Sequence, residues 1–207
     1  MADLKALADA VIKGDQATAV EVTKAALGEG MAAKSVLDEG LIAGMDVIGA
    51  AFKKNEVYIP EVLIAARAMK MAMEVLEPEL VKAGVEPAGR IAIGTVKGDL
   101  HDIGKNIVAI MLKGAGYDVI DLKSDVSTDR IVDAVKESKA PFLGLSALLT
   151  TTMRNMEDVI RELEKQGLRN KVKVLIGGAP TSKEFAAQIG ADAYCKDAFQ
   201  ALEIMKN

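Results

Sequence analysis

The spacing of hydrophobic residues changes once along this chain, at a short segment of Pro87, Ala88 and Gly89. Before this segment, apolar residues recur every three to four positions, which is the period of an amphipathic helix. After it, short apolar runs alternate with helical stretches, which is typical of parallel β-α units. We therefore predict two domains, a helical one over residues 1–89 and an α/β one over residues 90–207.

The first half is predicted to be a small bundle of short antiparallel helices, because several amphipathic stretches follow one another with short breaks. Asp15 is placed to cap the second helix, and Pro60 suits the first turn of the longest one. The predicted helices cover residues 4–12, 16–27, 32–39, 41–54 and 60–81.

The second half is predicted to be a flavodoxin-like, doubly wound α/β domain with a five-stranded parallel sheet. The predicted strands are residues 91–96, 117–122, 142–145, 172–176 and 191–194. The predicted helices are residues 103–114, 128–137, 152–166, 183–188 and 198–206. Ligands of such Rossmann-like sheets bind beyond the carboxyl ends of the strands, at the point where the strand order reverses.

Composition excludes several classes of protein. Hydrophobic residues make up 50% of the chain, which is enough for a packed core, yet charges interrupt every apolar run before the roughly 18 residues of a membrane span. The start of the chain lacks the pattern of a signal peptide, and the single Cys195 cannot form an internal disulfide. We expect a soluble, cytoplasmic protein with no membrane partner. The chain has no tryptophan and no basic stripe, so no nucleic-acid partner is expected.

The loop after the first predicted strand holds the only histidine of the chain, His101, just before a helix. Asp99 is placed to accept a hydrogen bond from one ring nitrogen while the other faces outward, as in a metal-bound histidine with a supporting carboxylate. Gly104 would allow a bulky group to approach the helix. The alternative is a polar loop whose histidine only caps the helix.

Two further loops belong to the same predicted sheet edge. Residues 146–152 carry four hydroxyl groups that could bind a polar ligand, although Thr151 or Thr152 could instead cap the next helix. Gly177 and Gly178 leave room beside the sheet, although a tight turn would also explain them.

The spacing of these motifs resembles the signature of corrinoid (vitamin B12)-binding domains. It reads Asp99-x-His101-x-x-Gly104, then 41 residues, Ser146-x-Leu148, then 28 residues and Gly177-Gly178. The segment from Tyr58 to Glu61, followed by Ala65, Ala68 and Met69, resembles the helical cap of cobalamin-dependent methyltransferases. The chain is thus similar to the small corrinoid proteins of methanol, methylamine, glycine betaine and methoxyaromatic methyltransferase systems, and to the cobalamin-binding region of methionine synthase.

The resemblance implies a cofactor, cobalamin or a related corrinoid, that alternates between methylcob(III)alamin and cob(I)alamin. His101 would ligate the cobalt, Asp99 would hold the imidazole, and Thr152 stands where methionine synthase has a serine. The implied cofactor contacts are Gly98, Asp99, Leu100, His101, Asp102, Ile103, Gly104, Ser146, Leu148, Leu149, Thr150, Gly177, Gly178, Ala179, Tyr194, Cys195, Ala198, Tyr58 and Met69. We expect Cys195 to serve as a small buried residue and not to have a redox role.

The implied function is that of a methyl carrier in one-carbon metabolism, a subunit of a multi-component methyltransferase. Its implied partners are a substrate-specific methyltransferase, a methylcorrinoid:acceptor methyltransferase that uses tetrahydrofolate or a thiol cofactor, and a reductive activator of Co(II). Three alternatives stay open at this point. They are the corrinoid domain of an adenosylcobalamin mutase, a non-catalytic cobalamin sensor or store, and a flavodoxin-like FMN or receiver domain.

Overall fold

The computed structural model describes residues 2–206 and divides into two compact units. The first unit runs to Ala88 and includes Lys113–Gly116, and the second comprises Gly89–Leu112 and the chain from Tyr117 onward. That residues 1–89 and 90–207 each fold as an independent domain stays a prediction. No helix among residues 2–206 combines the length and apolar character needed to cross a membrane.

The first unit is helical, as predicted. Its elements are α1 (Leu4–Lys13), α2 (Gln16–Gly28), α3 (Ala33–Ser35), a π-helix (Val36–Ile42), α4 (Ala43–Lys53) and α5 (Ile59–Lys82). Asp15 caps α2 as expected, because its Oδ1 accepts a hydrogen bond from the backbone N–H of Thr18 at 3.1 Å. The buried residues of α5 include Val62, Ala66 and Leu76.

The predicted break at Gly40 is wrong, since residues 33–53 form consecutive helical segments. A Cβ at Gly40 would lie 2.5 Å from Cδ2 of Leu7, which is fully buried on α1. Gly40 therefore allows two helices to pack closely, and it does not end one.

The second unit is a parallel sheet with flanking helices. Its elements are β1 (Arg90–Thr95), α6 (Ile103–Gly114), β2 (Asp118–Asp121), α7 (Thr128–Ser138), β3 (Phe142–Ser146), α8 (Asn155–Lys165), a 3₁₀ turn (Arg169–Lys171), β4 (Lys173–Gly177), α9 (Lys183–Ile189), β5 (Ala193–Tyr194) and α10 (Ala198–Lys206). The five strands are parallel in the order β2-β1-β3-β4-β5, which confirms the flavodoxin-like prediction.

The strand order places the loops after β1 and β3 side by side. β1 pairs with both β2 and β3, so the direction of winding reverses between β1 and β3. Register sets Thr95 of β1 opposite Ser146 of β3, and Ser146 opposite Gly177 of β4. The three loops predicted to form a site therefore leave one edge of the sheet, where doubly wound folds bind their ligands.

Apolar side chains from the sheet and its helices form the core of this unit. Leu143 and Val174 in the sheet, and Ile131 and Ile160 on α7 and α8, are almost fully inaccessible to solvent. This packing gives the loops at the carboxyl edge a rigid support.

Candidate cofactor-binding site

Asp99 is a fully buried carboxylate in the loop that follows β1. Its Oδ1 accepts a hydrogen bond from the backbone N–H of His101 at 3.0 Å and lies 2.8 Å from the ring Nδ1 of His101. Its Oδ2 accepts hydrogen bonds from the backbone N–H groups of Leu148 at 2.7 Å and Leu149 at 3.2 Å, and from the Thr152 hydroxyl at 2.7 Å. One carboxylate thus joins the loops after β1 and β3.

Two opposing effects determine the ionisation of Asp99. Burial raises its pKa, but the hydrogen bonds from Thr152, Leu148 and His101 together outweigh burial and hold the pKa well below its usual range. At neutral pH the carboxylate is therefore ionised and acts only as a hydrogen-bond acceptor.

The ionised carboxylate determines which ring nitrogen of His101 carries the proton. An acceptor-only partner at Nδ1 requires the proton on Nδ1, so the lone pair of the neutral ring lies on Nε2. The side chain of His101 is 53% exposed. Its Nε2 is thus suited to a metal centre that approaches from outside the sheet, with Asp99 as the supporting carboxylate.

Large apolar side chains are exposed in the same two loops and at the first residue of α6. Leu100 and Ile103 are 73% and 77% exposed, and Leu148 and Leu149 are also exposed. Among the residues that the structure describes, none comes within 4 Å of a Cβ built at Gly104. Exposed apolar surface with open space near a histidine is suited to a bulky ligand that is at least partly apolar.

The Gly177-Gly178 loop is packed more tightly than the sequence suggests. A Cβ at Gly178, whose φ is +122°, would lie 1.8 Å from the carbonyl oxygen of Ala147. A Cβ at Gly177 would lie 3.0 Å from the carbonyl oxygen of Cys195. The glycines let the loops after β3, β4 and β5 approach one another, while their predicted contact with a cofactor tail stays a prediction.

The other predicted contacts in this unit differ in accessibility. The exposed ones are Gly98, Thr150 and Ala179; the partly buried ones are Asp102, Ser146 and Tyr194; the buried ones are Cys195 and Ala198. Burial, together with the nearby Asp197 carboxylate, raises the pKa of Cys195 to about 11. A thiol with so high a pKa is unreactive at neutral pH, in keeping with its expected role as a small buried residue.

The two contacts predicted in the helical unit differ from each other. Tyr58, just before α5, is exposed, so its ring is available to a ligand. Met69, within α5, is only 2% exposed, and a contact with a corrin ring would require it to become accessible. Ala65 and Ala68 are fully buried as well.

Sequence reasoning missed three polar residues beside the predicted site. Lys105 is buried on α6 and pairs with Asp121 at the end of β2, at 2.5 Å. Asp125 and Asn155 bind the backbone of the turn before Asp99, at 2.7 Å and 2.6 Å. The only sequence signal for these residues was their polar character near the carboxyl edge of the sheet. No local spacing indicates which groups they bind.

Comparison with known proteins identifies the family. Residues 89–203 match the family model described as B12 binding domain, and residues 3–77 match a second model with the same description. A corrinoid protein of Desulfitobacterium hafniense is 42% identical over 99% of this chain and 96% of its own length. Dimethylamine corrinoid protein 3 of Methanosarcina acetivorans is 40% identical over 98% of this chain and 96% of its own length.

A solved structure agrees with these matches. A chain of the methanol:cobalamin methyltransferase complex of Methanosarcina barkeri superposes with a TM-score of 0.88 at 30% identity, over 97% of this chain and 77% of that one.

Proposed function

The chain belongs to the B12-binding corrinoid proteins of methyltransferase systems, and we propose that it carries its methyl group on a corrinoid whose cobalt is ligated by His101. The observation that supports this ligand is the hydrogen bond between its Nδ1 and the buried Asp99, which leaves Nε2 free to bind a metal. A bound corrinoid supplies a nucleophilic cobalt centre that accepts a methyl group and gives it up to an acceptor.

Asp99 and Thr152 orient the imidazole in this proposal. The carboxylate holds the ring in one tautomer, and the Thr152 hydroxyl together with two backbone N–H groups holds the carboxylate. Because these bonds hold the pKa of Asp99 well below its usual range, the carboxylate stays ionised and would remain a hydrogen-bond acceptor for the imidazole.

The exposed apolar residues of the two loops and of the first position of α6 would provide the contact surface for the cofactor. Leu100, Ile103, Leu148 and Leu149 would lose water when they cover the cofactor, which contributes binding free energy of about 25 cal/mol for each Å² buried. The open space at Gly104 allows the cofactor to approach the start of α6.

The partners follow from the transfer chemistry. The similar solved chain belongs to a methanol:cobalamin methyltransferase complex, which supports methyltransferase partners for this chain. We infer that this chain interacts with a substrate-specific methyltransferase and with a second methyltransferase that transfers the methyl group to the acceptor. A third partner would be a reductive activator of Co(II). The methyl donor is chosen by the first of these partners.

Electron paramagnetic resonance of the Co(II)-loaded protein tests the ligand. The chain has one histidine, so labelling with ¹⁵N-histidine changes only His101. We expect three-line nitrogen splitting in unlabelled protein and two-line splitting after labelling. His101→Ala should lose the splitting but still bind the corrinoid. Splitting that is unchanged by the label, or absent from the wild type, would contradict the proposal.

A further inference from the structure

One peptide bond in the turn before Asp99 is held from both sides. The side-chain Nδ2 of Asn155 donates a hydrogen bond to the carbonyl oxygen of Lys97 at 2.6 Å. The N–H of Gly98 donates a hydrogen bond to Oδ1 of Asp125 at 2.7 Å. Both backbone groups belong to the peptide that links Lys97 to Gly98, so side chains from two separate segments fix its plane.

Asp125 makes a second contact with the same turn. Its backbone N–H donates a hydrogen bond to the carbonyl oxygen of Asp99 at 3.0 Å. Asp125 has a φ of +55°, a left-handed conformation that aspartate tolerates better than most residues. The loop after β2 therefore holds the turn through a carboxylate and through a backbone amide.

These contacts act on a flexible point of the turn. Gly98 has a φ of +79°, and glycine itself imposes little restraint on its backbone. The next residue is Asp99, whose carboxylate holds the ring of His101. Since nothing within glycine fixes the direction of the chain, the position of the Asp99 backbone depends on the groups that bind its flanking peptides, while the loop after β3 holds its carboxylate.

We propose that Asp125 and Asn155 are positioning residues for His101: they hold the Lys97–Gly98 peptide so that Asp99 keeps the imidazole oriented. The link to cobalt rests on the proposed function, whereas the restraint on the ring belongs to the protein itself. Neither residue touches the reacting atoms.

Four variants of the full chain separate the contacts. Asp125→Gly retains the left-handed backbone and its N–H but removes the carboxylate. Asp125→Asn retains a side-chain oxygen that can accept the Gly98 hydrogen bond. Asn155→Ala removes the donor to Lys97. Asp133→Ala is the control, because it removes an exposed carboxylate from α7.

The first measurement uses the protein without cofactor. NMR of the single imidazole reports how fast the Nδ1 proton of His101 exchanges with water. Asp125→Gly and Asn155→Ala should each raise this rate about fivefold, the effect of losing one hydrogen bond of average strength. Asp125→Asn and Asp133→Ala should stay within about twofold of the wild type. Unchanged rates in Asp125→Gly and Asn155→Ala, or an equal rise in Asp133→Ala, would overturn the proposal.

The second measurement uses the Co(II)-loaded protein. The fraction of cobalt that shows ¹⁵N-histidine splitting should fall in Asp125→Gly and Asn155→Ala and be restored in Asp125→Asn. A wild type without splitting would contradict the proposed function while the exchange rates still decide the positioning role. A normal splitting fraction in both weakened variants would overturn the positioning role alone.

Discussion

Gly178 and Gly104 are both predicted cofactor contacts, but their surroundings give them opposite roles at the scale of the residue. Gly178→Ala should lower the free energy of unfolding by about 2–4 kcal/mol, because its Cβ would meet the Ala147 carbonyl and its φ is strained for any side chain. Gly104→Ala should raise it by up to about 1 kcal/mol, because its Cβ meets open space at the start of α6.

Urea unfolding and corrinoid titration of the two variants check this difference. Gly104→Ala should bind the corrinoid more weakly than the wild type although it is more stable, since the open space it fills is where the cofactor would approach. A more stable Gly104→Ala protein with unchanged corrinoid affinity would show that the cofactor does not approach this helix.

The ionisation of Asp121 makes the free energy of unfolding depend on pH in the acid range. Burial raises its pKa, but hydrogen bonds from Lys105 and Lys123 outweigh burial and lower the pKa to about 2. A pKa lower in the folded than in the unfolded state contributes stability that is present above pH of about 4 and lost as the pH falls toward 2. The change from 3.8 to about 2 corresponds to about 2 kcal/mol.

Asp121→Asn isolates that contribution. The difference in unfolding free energy between wild type and Asp121→Asn should narrow by about 2 kcal/mol between pH 5 and pH 2, as urea titrations would measure. Asp129→Asn, at an exposed position on α7, is the control. If the difference in unfolding free energy stays constant over this range, the ionisation of Asp121, and with it the ion pair with Lys105, does not stabilise the fold.

The residues of the site were predictable only where their signal is local. Asp99 and His101 stand two positions apart in one loop, and the strand pattern brings Thr152 to the same sheet edge. Asp125 and Asn155 could not be predicted, because each binds a backbone group of Lys97 or Gly98 that is remote in sequence. Buried Lys105 was missed for the same reason, since its partner lies on another element.

At the scale of the element, close helix packing depends on glycines that look like helix breaks. A Cβ at Gly44 would lie 2.8 Å from the backbone oxygen of Ala8 and 2.9 Å from Cβ of Val11, both on α1. Gly44→Ala should therefore lower the free energy of unfolding by about 1–3 kcal/mol. Gly28→Ala, which meets open space at the end of α2, should not lower it. Equal urea midpoints for the two variants would contradict this view of α4.

The elements themselves were largely predictable, because hydrophobic period distinguishes helices from buried strands over several residues. α6 and α10 have the predicted limits, whereas α8 begins at Asn155 and not at Thr152. Arg154 stands at the N-cap position of α8, so Thr152, whose hydroxyl donates to Asp99, does not cap the helix. The packing role of Gly40 was unpredictable, since it depends on the side chain of Leu7, which lies on another helix.

At the scale of the whole molecule, the α/β unit carries the residues proposed to hold the cofactor. Asp99, His101 and Thr152 lie within residues 90–207, and this part has an apolar core of its own. We therefore expect the fragment of residues 90–207 to bind a corrinoid with the histidine splitting of the full chain. A fragment that folds and binds the corrinoid but shows no histidine splitting would mean that the bond between His101 and cobalt requires the helical half.

The helical half should then determine how well the bound cofactor is protected. If it acts as the cap that the family resemblance implies, methylcobalamin bound to the fragment should photolyse faster than methylcobalamin bound to the full chain, because more of the cofactor would be open to solvent. Tyr58→Ala in the full chain should give an intermediate rate, since Tyr58 is an exposed aromatic residue of that half. Val81→Ala, which changes an exposed apolar residue of α5, is the matched control and should leave the rate unchanged. Equal rates in fragment and full chain would show that the helices do not shield the bound cofactor.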